Sequence, residues 1–541
     1  PLALALAALS AVGLQGWVIR SYLASRKADA SPAAELSFVV GTLIAAVILL
    51  KIVYLGLPDL VPEEAYYWQY AQRPALGYLD HPVMVAWGIL AGTTLFGDTE
   101  FGVRIFTFLC WLVTAGFVAG LSRDLFGRRT ALHAFLLTCL LPYTFLFGFF
   151  ATPDAPMMAS WAGALFYLQR ALLRESRTGW VGFGICMGLG MLSKYSMVLL
   201  APAAFAFLLL DSRSRRWFLR PDPYLAIVWA VLIFSPVLIW NYQHDWASFA
   251  YQSARRIDED PVFNLHKLLG YSLALMTPWG VLGAIRAFTK AQDWQGPEPV
   301  SDEVHRRLFF VLMWLVPFSV FAWSSLNHRT KMSWTGPTWL ALIPVLAAQW
   351  VHAPRAGLAG IRWLRPAQWR GVLVFLVILY AGVFHYMTLG LPGVPYRQRD
   401  VKPVAWEELG RQVESLVEDL RAEDRRHGGE REVHVIGTDR FPIASELAFY
   451  RGTEWGARAR SRPARGYGGD GVMDGARFAG PPKADMLRLF VGFRRDRVED
   501  PRIAEHSLEL SETRRGVVMK RGKPAGRFFY KTGRGYVAGD D

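Results

Sequence analysis

Long apolar runs recur through this sequence and constrain its fold more than any other feature. A helix needs about 20 mostly apolar residues to cross the hydrocarbon core of a bilayer. Because 52% of the 541 residues are hydrophobic and only 19% are charged, repeated runs of this kind favour a polytopic membrane protein. The runs lie near residues 2–19, 37–57, 101–121, 130–150, 155–173, 179–193, 195–210, 223–240, 267–287, 308–325, 334–350 and 371–391. They predict an all-α polytopic membrane domain of about twelve transmembrane helices over residues 1–391.

The distribution of lysine and arginine predicts how these helices are oriented. Basic loops at 20–27, 123–129, 170–177, 213–220 and 355–370 alternate with less basic loops at 58–100, 151–154, 241–266 and 326–333. Loops rich in lysine and arginine stay in the cytoplasm, so the second set is expected on the opposite side. Basic residues follow run 2–19 rather than precede it, which favours a retained helix over a cleaved signal sequence.

The net charge of +14 at first suggests nucleic acid as a partner. The basic residues form no single stripe and many lie in short loops between apolar runs, so we predict no nucleic-acid binding. Cys110, Cys139 and Cys186 each lie inside an apolar run without metal-ligand spacing. They are expected to be small buried hydrophobic residues.

The first outer loop, 58–100, places acidic groups at the mouth of a span. Glu63, Glu64 and Asp80 follow run 37–57, and His81 adjoins them. Charged groups at that depth cost free energy unless they are solvated or paired, so they are functional candidates. Aromatic side chains suited to a membrane interface surround them: Tyr66, Tyr67, Trp68, Tyr70 and Tyr78. The stretches 83–96 and 64–72 are expected to be interfacial helices.

Residues 392–541 differ in composition from the rest of the chain, because they contain no spanning run. Helical spacing at Trp406–Leu420, strands at Val433–Ile436 and Leu487–Gly492, and a helix at Ile443–Tyr450 predict a small α/β domain. The stretch 451–482 is rich in Gly, Arg and Pro and is interpreted as a long loop. By the parity of spans, this domain lies on the same side as the first loop.

Two short segments between later spans hold further candidates. Asp154 lies in the turn ATPDAP, where the alternative role is a helix N-cap. Lys194 lies between two apolar runs, where the alternative is a lysine that extends to the interface and the functional role is phosphate binding. The remaining outer loops add six more polar or aromatic candidates: Asn241, His244, Arg255, Arg256, Lys331 and Trp334.

Carboxylates and cations beside a lipid-facing surface suit group transfer from a lipid phosphate to a hydroxyl or an amine. A carboxylate accepts the proton of the acceptor, and cations stabilise the charge on the departing phosphate. A divalent metal ion such as Mg, Mn or Zn could replace some of this charge. Its candidate ligands are Asp80, His81 and His244.

Five motifs, taken in order, resemble the bacterial GT-C glycosyltransferases: PEEAYYWQYAQRPALGYLDHP, ATPDAP, LSKYS, WNYQHDWASF and KMSWTGPTWLALIP. More narrowly, they are similar to the aminoarabinose-lipid A transferases and protein O-mannosyltransferases of glycosyltransferase families 83 and 39. The resemblance covers about residues 37–350. It implies a multi-pass protein of the bacterial inner membrane, with its active site and C-terminal domain on the periplasmic side.

The resemblance also implies the chemistry and the site. A sugar would move, with inversion, from a polyprenyl-phosphate donor to a lipid, glycan or protein acceptor. The family's acidic pair, commonly Asp-Glu, matches Glu63 and Glu64, so either could be the base, and its second acidic position matches Asp154. Lys194 would meet the lipid phosphate, and Lys331 matches a basic residue of a late outer loop. Asp80 and His81 match a family segment near the donor or metal site. The residues themselves add Arg255 and Arg256 as candidates for binding the donor phosphate. They add Tyr66, Tyr67, Asn241, His244 and Trp334 as supporting or substrate candidates.

Two other classes of function compete with this interpretation. A transporter or flippase of a lipid-linked glycan would carry charged residues near the middle of spans and inverted repeats, and the sequence shows neither. A non-catalytic scaffold would leave the outer acidic residues without a common pocket. The glycosyltransferase is therefore the leading hypothesis.

Overall fold

The computed structural model describes residues 32–257, 261–289, 300–352, 366–396, 404–438, 442–451, 487–505 and 507–535. Apolar run 2–19 and most of the interpreted loop 451–482 lie outside the described residues, as does most of the basic loop 355–370. The chain divides into two compact units. The first contains residues 1–54, 75–88 and 104–381, and the second contains residues 55–74, 89–103 and 382–541.

Helices make up almost all of the described chain before residue 392. Their bounds are Pro32–Tyr54, Pro62–Ala71, Met84–Phe96, Glu100–Phe126, Arg128–Leu140, Pro142–Phe147, Asp154–Leu173, Arg177–Met191, Leu200–Leu210, Asp222–Gln243, Ala247–Ile257, Leu265–Thr289, Val300–Asn327, Gly336–Trp339, Ile343–His352 and Pro366–Thr388. Short 3₁₀ helices at Tyr195–Leu199 and Ser214–Leu219 connect some of them. The all-α character predicted from the apolar runs is therefore confirmed.

Five helical segments in the described part of the chain are long and apolar enough to cross a membrane. They are Glu100–Phe126, Asp222–Gln243, Leu265–Thr289, Glu303–Asn327 and Gly371–Thr388. Several of the other predicted spans form helices that are shorter than this, among them Val40–Tyr54 and Gly336–Val351. The protein is thus a multi-pass membrane protein, and the total of about twelve spans stays a prediction.

Prolines explain where the apolar runs and the helices differ. Run 130–150 was expected to form one span, but it forms two helices that meet at Leu141, whose backbone is extended with ψ of 136°. The residue before a proline avoids the helical region, and Pro142 follows directly. Helix Leu265–Thr289 is kinked at Thr277, just before Pro278, where the backbone has a φ of 64°.

Close helix packing in the first unit depends on small residues. A Cβ atom built on Gly184 would lie 2.4 Å from the carbonyl oxygen of Ala226, and one built on Gly188 would lie 2.6 Å from the Cβ of Ile233. Glycines four residues apart share one helix face, so helix Arg177–Met191 approaches helix Asp222–Gln243 along this face. Small residues at such interfaces allow the van der Waals contact that holds membrane helices together.

The second unit contains a five-stranded mixed sheet. Its strands are β1 Val433–Gly437, β2 Leu487–Gly492, β3 Glu509–Leu510, β4 Arg514–Lys520 and β5 Lys523–Arg534. β1 and β2 are parallel, whereas β5 runs antiparallel to β2, β3 and β4. Among the described residues after 392, four helices accompany the strands, at Trp406–Arg426, Pro442–Arg451, Arg495–Val498 and Pro501–Glu505.

Both strands and both helices predicted for residues 392–541 are confirmed, and the antiparallel strands β3 to β5 are additional. Trp406, Leu409 and Val413 bury one face of their helix in a core shared with Val435 of β1 and Leu489 of β2. The β4–β5 hairpin turns through Arg521 and Gly522, both with positive φ. A two-residue turn of this kind matches the twist of the paired strands.

We expect the substitution Gly184→Val to destabilise the first unit. The added side chain would overlap the backbone of Ala226, and overpacking of this kind costs about 1–3 kcal/mol. The apparent melting temperature of the detergent-solubilised protein measures the effect. The matched control is Gly371→Val, because nothing lies within 4 Å of a Cβ built on Gly371. Equal melting temperatures for the two variants would contradict the packing argument.

Candidate functional site

A buried ion pair lies at the centre of the candidate site in the first unit. The Nζ atom of Lys194 lies 2.8 Å from Oδ1 of Asp154, and the two side chains are 18% and 8% exposed. Asp154 is the first residue of helix Asp154–Leu173, and Pro153 occupies the N-cap position without a side-chain cap. The carboxylate of Asp154 therefore does not serve as the N-cap that was the alternative for it. It holds a lysine.

The position of Lys194 follows from the end of the preceding helix. Helix Arg177–Met191 ends three residues earlier, and Lys194 has an extended backbone with φ of −158° at the start of the 3₁₀ helix. Its backbone N–H still donates to Gly190 O at 2.8 Å. The side chain is thereby directed to Asp154, and its Nζ atom also donates to Ser333 Oγ at 3.3 Å. A buried amine with two oxygen partners is not a lysine extended to the interface.

His81 belongs to the same charged cluster. Burial lowers the pKa of His81 below its ordinary value of 6.5. Asp80 acts in the opposite direction, Lys194 and Lys331 lower the pKa further, and Asp154 raises it. Interactions of this kind require short distances, because solvent and salt screen charges that lie far apart. The structure therefore groups five charged or titratable residues from separate segments of the sequence.

Hydrogen bonds to or from its backbone hold the loop that carries Asp80 and His81 within the first unit. The side chain of Gln252 donates to the carbonyl oxygen of Asp80, and Met84 N–H donates to Leu192 O at 2.9 Å. A Cβ atom built on Gly77 would lie 2.6 Å from the ring of Trp240, so only glycine permits this approach. These contacts fix the loop beside the segment that contains Lys194.

Two residues predicted to support the substrate have contacts within the protein. The side chain of Asn241 is buried, and its Oδ1 atom accepts hydrogen bonds from Ser248 N and Phe249 N at the start of the next helix. Asn241 therefore caps that helix. The ring of His244 stacks on Trp240 with centroids 4.1 Å apart, and its Nδ1 atom lies 2.8 Å from Trp240 O. Their role toward a substrate stays a prediction.

The remaining candidates of the first unit lie in two segments. Lys331 is exposed and Trp334 is half-buried, with its ring centroid 6.0 Å from that of Phe321. Arg255 and Arg256 fall within helix Ala247–Ile257, but their side chains lie outside the described part of the structure. Lys331 is therefore the candidate from these loops that the structure connects with His81.

The acidic pair of the first loop belongs to the second unit, where its two members differ. Glu64 is fully buried, and its Oε2 atom accepts a hydrogen bond from Val61 N at 2.9 Å, which caps helix Pro62–Ala71. Glu63 is exposed in the first turn of that helix. Tyr66 and Tyr67 follow on the same helix, with ring centroids 5.4 Å apart. The sequence does not distinguish the two carboxylates, but burial does.

The proposed metal ligands do not form a metal-binding group. Among the described residues, no three or more His, Cys, Asp or Glu side chains are arranged to hold a metal ion. Asp80, His81 and His244 are all described, and Nδ1 of His244 lies 2.8 Å from Trp240 O. A metal requirement stays a prediction.

Two residues near the ion pair were missed at the sequence level. Ser333 lies two residues after Lys331 in the motif KMSWTG and meets Lys194. Tyr143 is buried, interacts electrostatically with Asp154, and its hydroxyl has no hydrogen-bond partner in the part of the chain that the structure describes. A Cβ atom built on Gly336 would lie 1.7 Å from its ring. The only signal for Tyr143 was a tyrosine within an apolar run.

Comparison with known proteins agrees with the motif-based resemblance. A family model for dolichyl-phosphate-mannose-protein mannosyltransferases matches residues 80–240. The lipid A galacturonosyltransferase RgtD of Rhizobium johnstonii is 26% identical over 361 residues, which are 64% of this chain and 69% of that protein. The undecaprenyl phosphate-alpha-4-amino-4-deoxy-L-arabinose arabinosyl transferase of Edwardsiella ictaluri is 31% identical over 266 residues, 46% of each protein. The chain therefore spans about half the length of the latter relative.

Solved structures show the same fold over nearly the whole chain. Crystal structures of ArnT from Cupriavidus metallidurans superpose with TM-scores of 0.58 in the apo state and 0.61 with undecaprenyl phosphate bound. Sequence identity is 16% and 14%, and each match covers 91% of this chain and 97% of the other. The GT-C fold expected from the motifs is confirmed.

We expect the stability of the protein to fall as the pH drops below about 6.5 because of His81. The pKa of His81 is lowered in the folded state, so the unfolded chain takes up its proton first, and acidification then favours unfolding. The melting temperature should fall less for His81→Gln than for the unmodified protein between about pH 7.5 and about pH 5.5. His244 is exposed, so the variant His244→Gln serves as the control and should keep the original pH dependence. An unchanged pH dependence in His81→Gln would refute this.

Proposed function

We propose that this membrane protein with a GT-C fold is a glycosyltransferase that moves a sugar from a polyprenyl-phosphate donor to an acceptor in the cell envelope. The observation that carries the proposal is the buried Asp154–Lys194 pair, with His81 and Lys331 in the same charged cluster. The Lys194 ammonium group, held in this way beside membrane helices, suits the phosphate of a lipid-linked donor. The similar proteins bear names that state undecaprenyl phosphate or lipid A as what they bind or act on.

Lys194 and Lys331 are assigned to bind the phosphate of the donor. During transfer, the bond between the anomeric carbon and the phosphate oxygen breaks, and its electron pair leaves with polyprenyl phosphate. Lys194 stabilises the added charge on that oxygen, because an ammonium group aimed at a developing anion lowers the barrier. Asp154 holds Lys194 in place at 2.8 Å, and Ser333 supports it from a second side.

A carboxylate of the first loop is assigned as the base that takes the proton of the acceptor. The acceptor oxygen or nitrogen forms the new bond to the anomeric carbon, and its proton passes to the base. We assign this role to Glu63, because it is exposed, whereas Glu64 is buried and caps its own helix. Attack from the side opposite the leaving phosphate inverts the anomeric centre.

The relatives support an assignment of the acceptor, and the basic loops support an assignment of the side of the membrane. Lipid A is the acceptor named for the galacturonosyltransferase relative, so a lipid A-type glycolipid is the first acceptor to test. The basic loops are assigned to the cytoplasm and the acidic first loop to the periplasm of a bacterial inner membrane. A glycan or a protein hydroxyl would serve the same base chemistry.

The proposed function is tested by the envelope glycolipids of a deletion strain. Mass spectrometry should show the loss of a sugar-sized mass from lipid A or a related glycolipid, and the intact gene should restore it. A strain with Asp154→Asn in place of the intact gene should resemble the deletion. Unchanged glycolipids, glycans and glycoproteins in the deletion strain would rule out the proposed transfer.

The assignment of the base predicts different effects for two neighbouring substitutions. Glu63→Gln removes the proton acceptor and should lower the rate of transfer about 10²–10⁴-fold. Glu64→Gln keeps an oxygen that can accept from Val61 N–H, so it should retain most of the activity. Transfer rates in membranes with equal amounts of the two variants decide between them. Loss of activity in Glu64→Gln alone would move the role to Glu64.

The phosphate assignment predicts a separation of stability from activity. Lys194→Met leaves Asp154 buried without its partner, which should destabilise the protein by about 3–5 kcal/mol. The double variant Asp154→Asn/Lys194→Met removes both charges and should recover much of that stability, but no transfer activity. The exposed Lys267→Gln is the control and should leave both unchanged. Recovery of activity in the double variant would show that the pair is only structural.

A further inference from the structure

A second charged cavity lies in the first unit, at the end where the basic loops gather. It has a volume of about 260 Å³. Its deeper part is formed by Asp124, Asp211 and Arg306, which are 9%, 5% and 2% exposed. Its rim carries Arg174 and Arg213, which are exposed. The glycosyl-transfer chemistry proposed above uses none of these residues.

The carboxylates of this cavity already have partners within the protein. Oδ2 of Asp124 lies 2.7 Å from Nε of Arg170, and Oδ1 of Asp211 lies 3.2 Å from Nε2 of His305. Asp211 also accepts from Ser214 N–H at 3.0 Å, and Glu175 on the rim pairs with Arg216.

The charge balance favours an anion as occupant. Together with Arg170, the lining contains five arginines and three carboxylates. An anion in the cavity would balance the excess of guanidinium groups over carboxylates. Arginine also suits phosphate better than other anions, because its planar group binds two oxygens at once.

An apolar groove starts beside this cavity. It has a volume of about 480 Å³ and is lined by small and aromatic residues of helix Glu100–Phe126, among them Gly116, Phe117 and Gly120, with Phe166 opposite and Arg123 at one end. Its lining exposes mainly apolar atoms. On a membrane helix such a groove accommodates a hydrocarbon chain.

Arg170 joins the groove to the cavity. Its guanidinium carbon lies 4.1 Å from the centroid of the Phe166 ring, which lines the groove. Its Nε atom meets Asp124, which lines the cavity. A molecule with a phosphate in the cavity and a hydrocarbon chain in the groove would pass this arginine.

We propose that the cavity and the groove together form a binding site for an anionic phospholipid, separate from the site of glycosyl transfer. The phosphate lies among Arg174, Arg213 and Arg306, and one acyl chain follows the groove past Gly116 and Gly120. Basic pockets between membrane helices recognise anionic lipid headgroups in this way. A phospholipid is the occupant because it explains both the charged cavity and the apolar groove, whereas a free anion or a hydrocarbon chain would explain only one of them.

Retention of phospholipid by the purified full-length protein tests the headgroup. Native mass spectrometry after exposure to phosphatidylglycerol or phosphatidylcholine should show one phosphatidylglycerol retained in preference. The rim variant Arg174→Ala/Arg213→Ala should weaken retention about 100-fold, since each of the two charge-assisted hydrogen bonds contributes about tenfold. The matched control Arg177→Ala/Arg215→Ala removes two exposed arginines from the same loops that do not line the cavity, and it should retain the lipid.

The groove is tested by filling it. Nothing lies within 4 Å of a Cβ built on Gly116, so Gly116→Leu adds bulk to the groove without a clash at Cβ. It should reduce retention of phosphatidylglycerol, while Gly371→Leu, equally uncrowded, should not. Equal retention of the two phospholipids, or equal retention by the rim variant and its control, would overturn the proposal. So would displacement by inorganic phosphate without any effect of Gly116→Leu, because that result assigns the cavity to a free anion.

Discussion

The absence of water from a hydrocarbon environment is the constraint on which most of this structure depends. Backbone N–H and C=O groups must find partners within the chain there, and helices satisfy them locally. Charged side chains are costly in the same environment, so they collect at helix ends and in loops. Asp154 at a helix start and Lys194 just after a helix end follow this rule. The same constraint that makes the fold helical thus concentrates its chemistry in short segments between helices.

Burial gives the Asp154–Lys194 pair its importance. An exposed ion pair would contribute little, because solvent screens it and two long side chains must be ordered. Here each charge depends on the other, since a single buried charge would be strongly destabilising. The pair therefore keeps the Lys194 ammonium group in a fixed position at the cost of stability that the surrounding helices must supply. Close packing along Gly184 and Gly188 is one such source.

The sequence predicted a good part of the fold and individual members of the site. The apolar runs, the helices of the first loop and the elements at Trp406–Leu420 and Leu487–Gly492 follow local patterns, and the structure contains them. Asp154 and Lys194 were both candidates, but each had an alternative role that was equally local. The division of run 130–150 was missed, because an apolar run hides the local effect of Pro142. Strands β3 to β5 were missed because their pairing, and not their composition, makes them strands.

The sequence by itself determined that this is a helical, multi-pass membrane protein with acidic and basic residues in alternate loops, because hydrophobicity and charge act locally along the chain. The tertiary structure alone decided which charges meet. Lys194 is 40 residues from Asp154 and 139 from Ser333, and no local pattern links them. It also distinguished Glu64, whose side chain is buried in a helix cap, from the exposed Glu63. Adjacent, chemically similar side chains differ only in what surrounds them, and those surroundings come from packing.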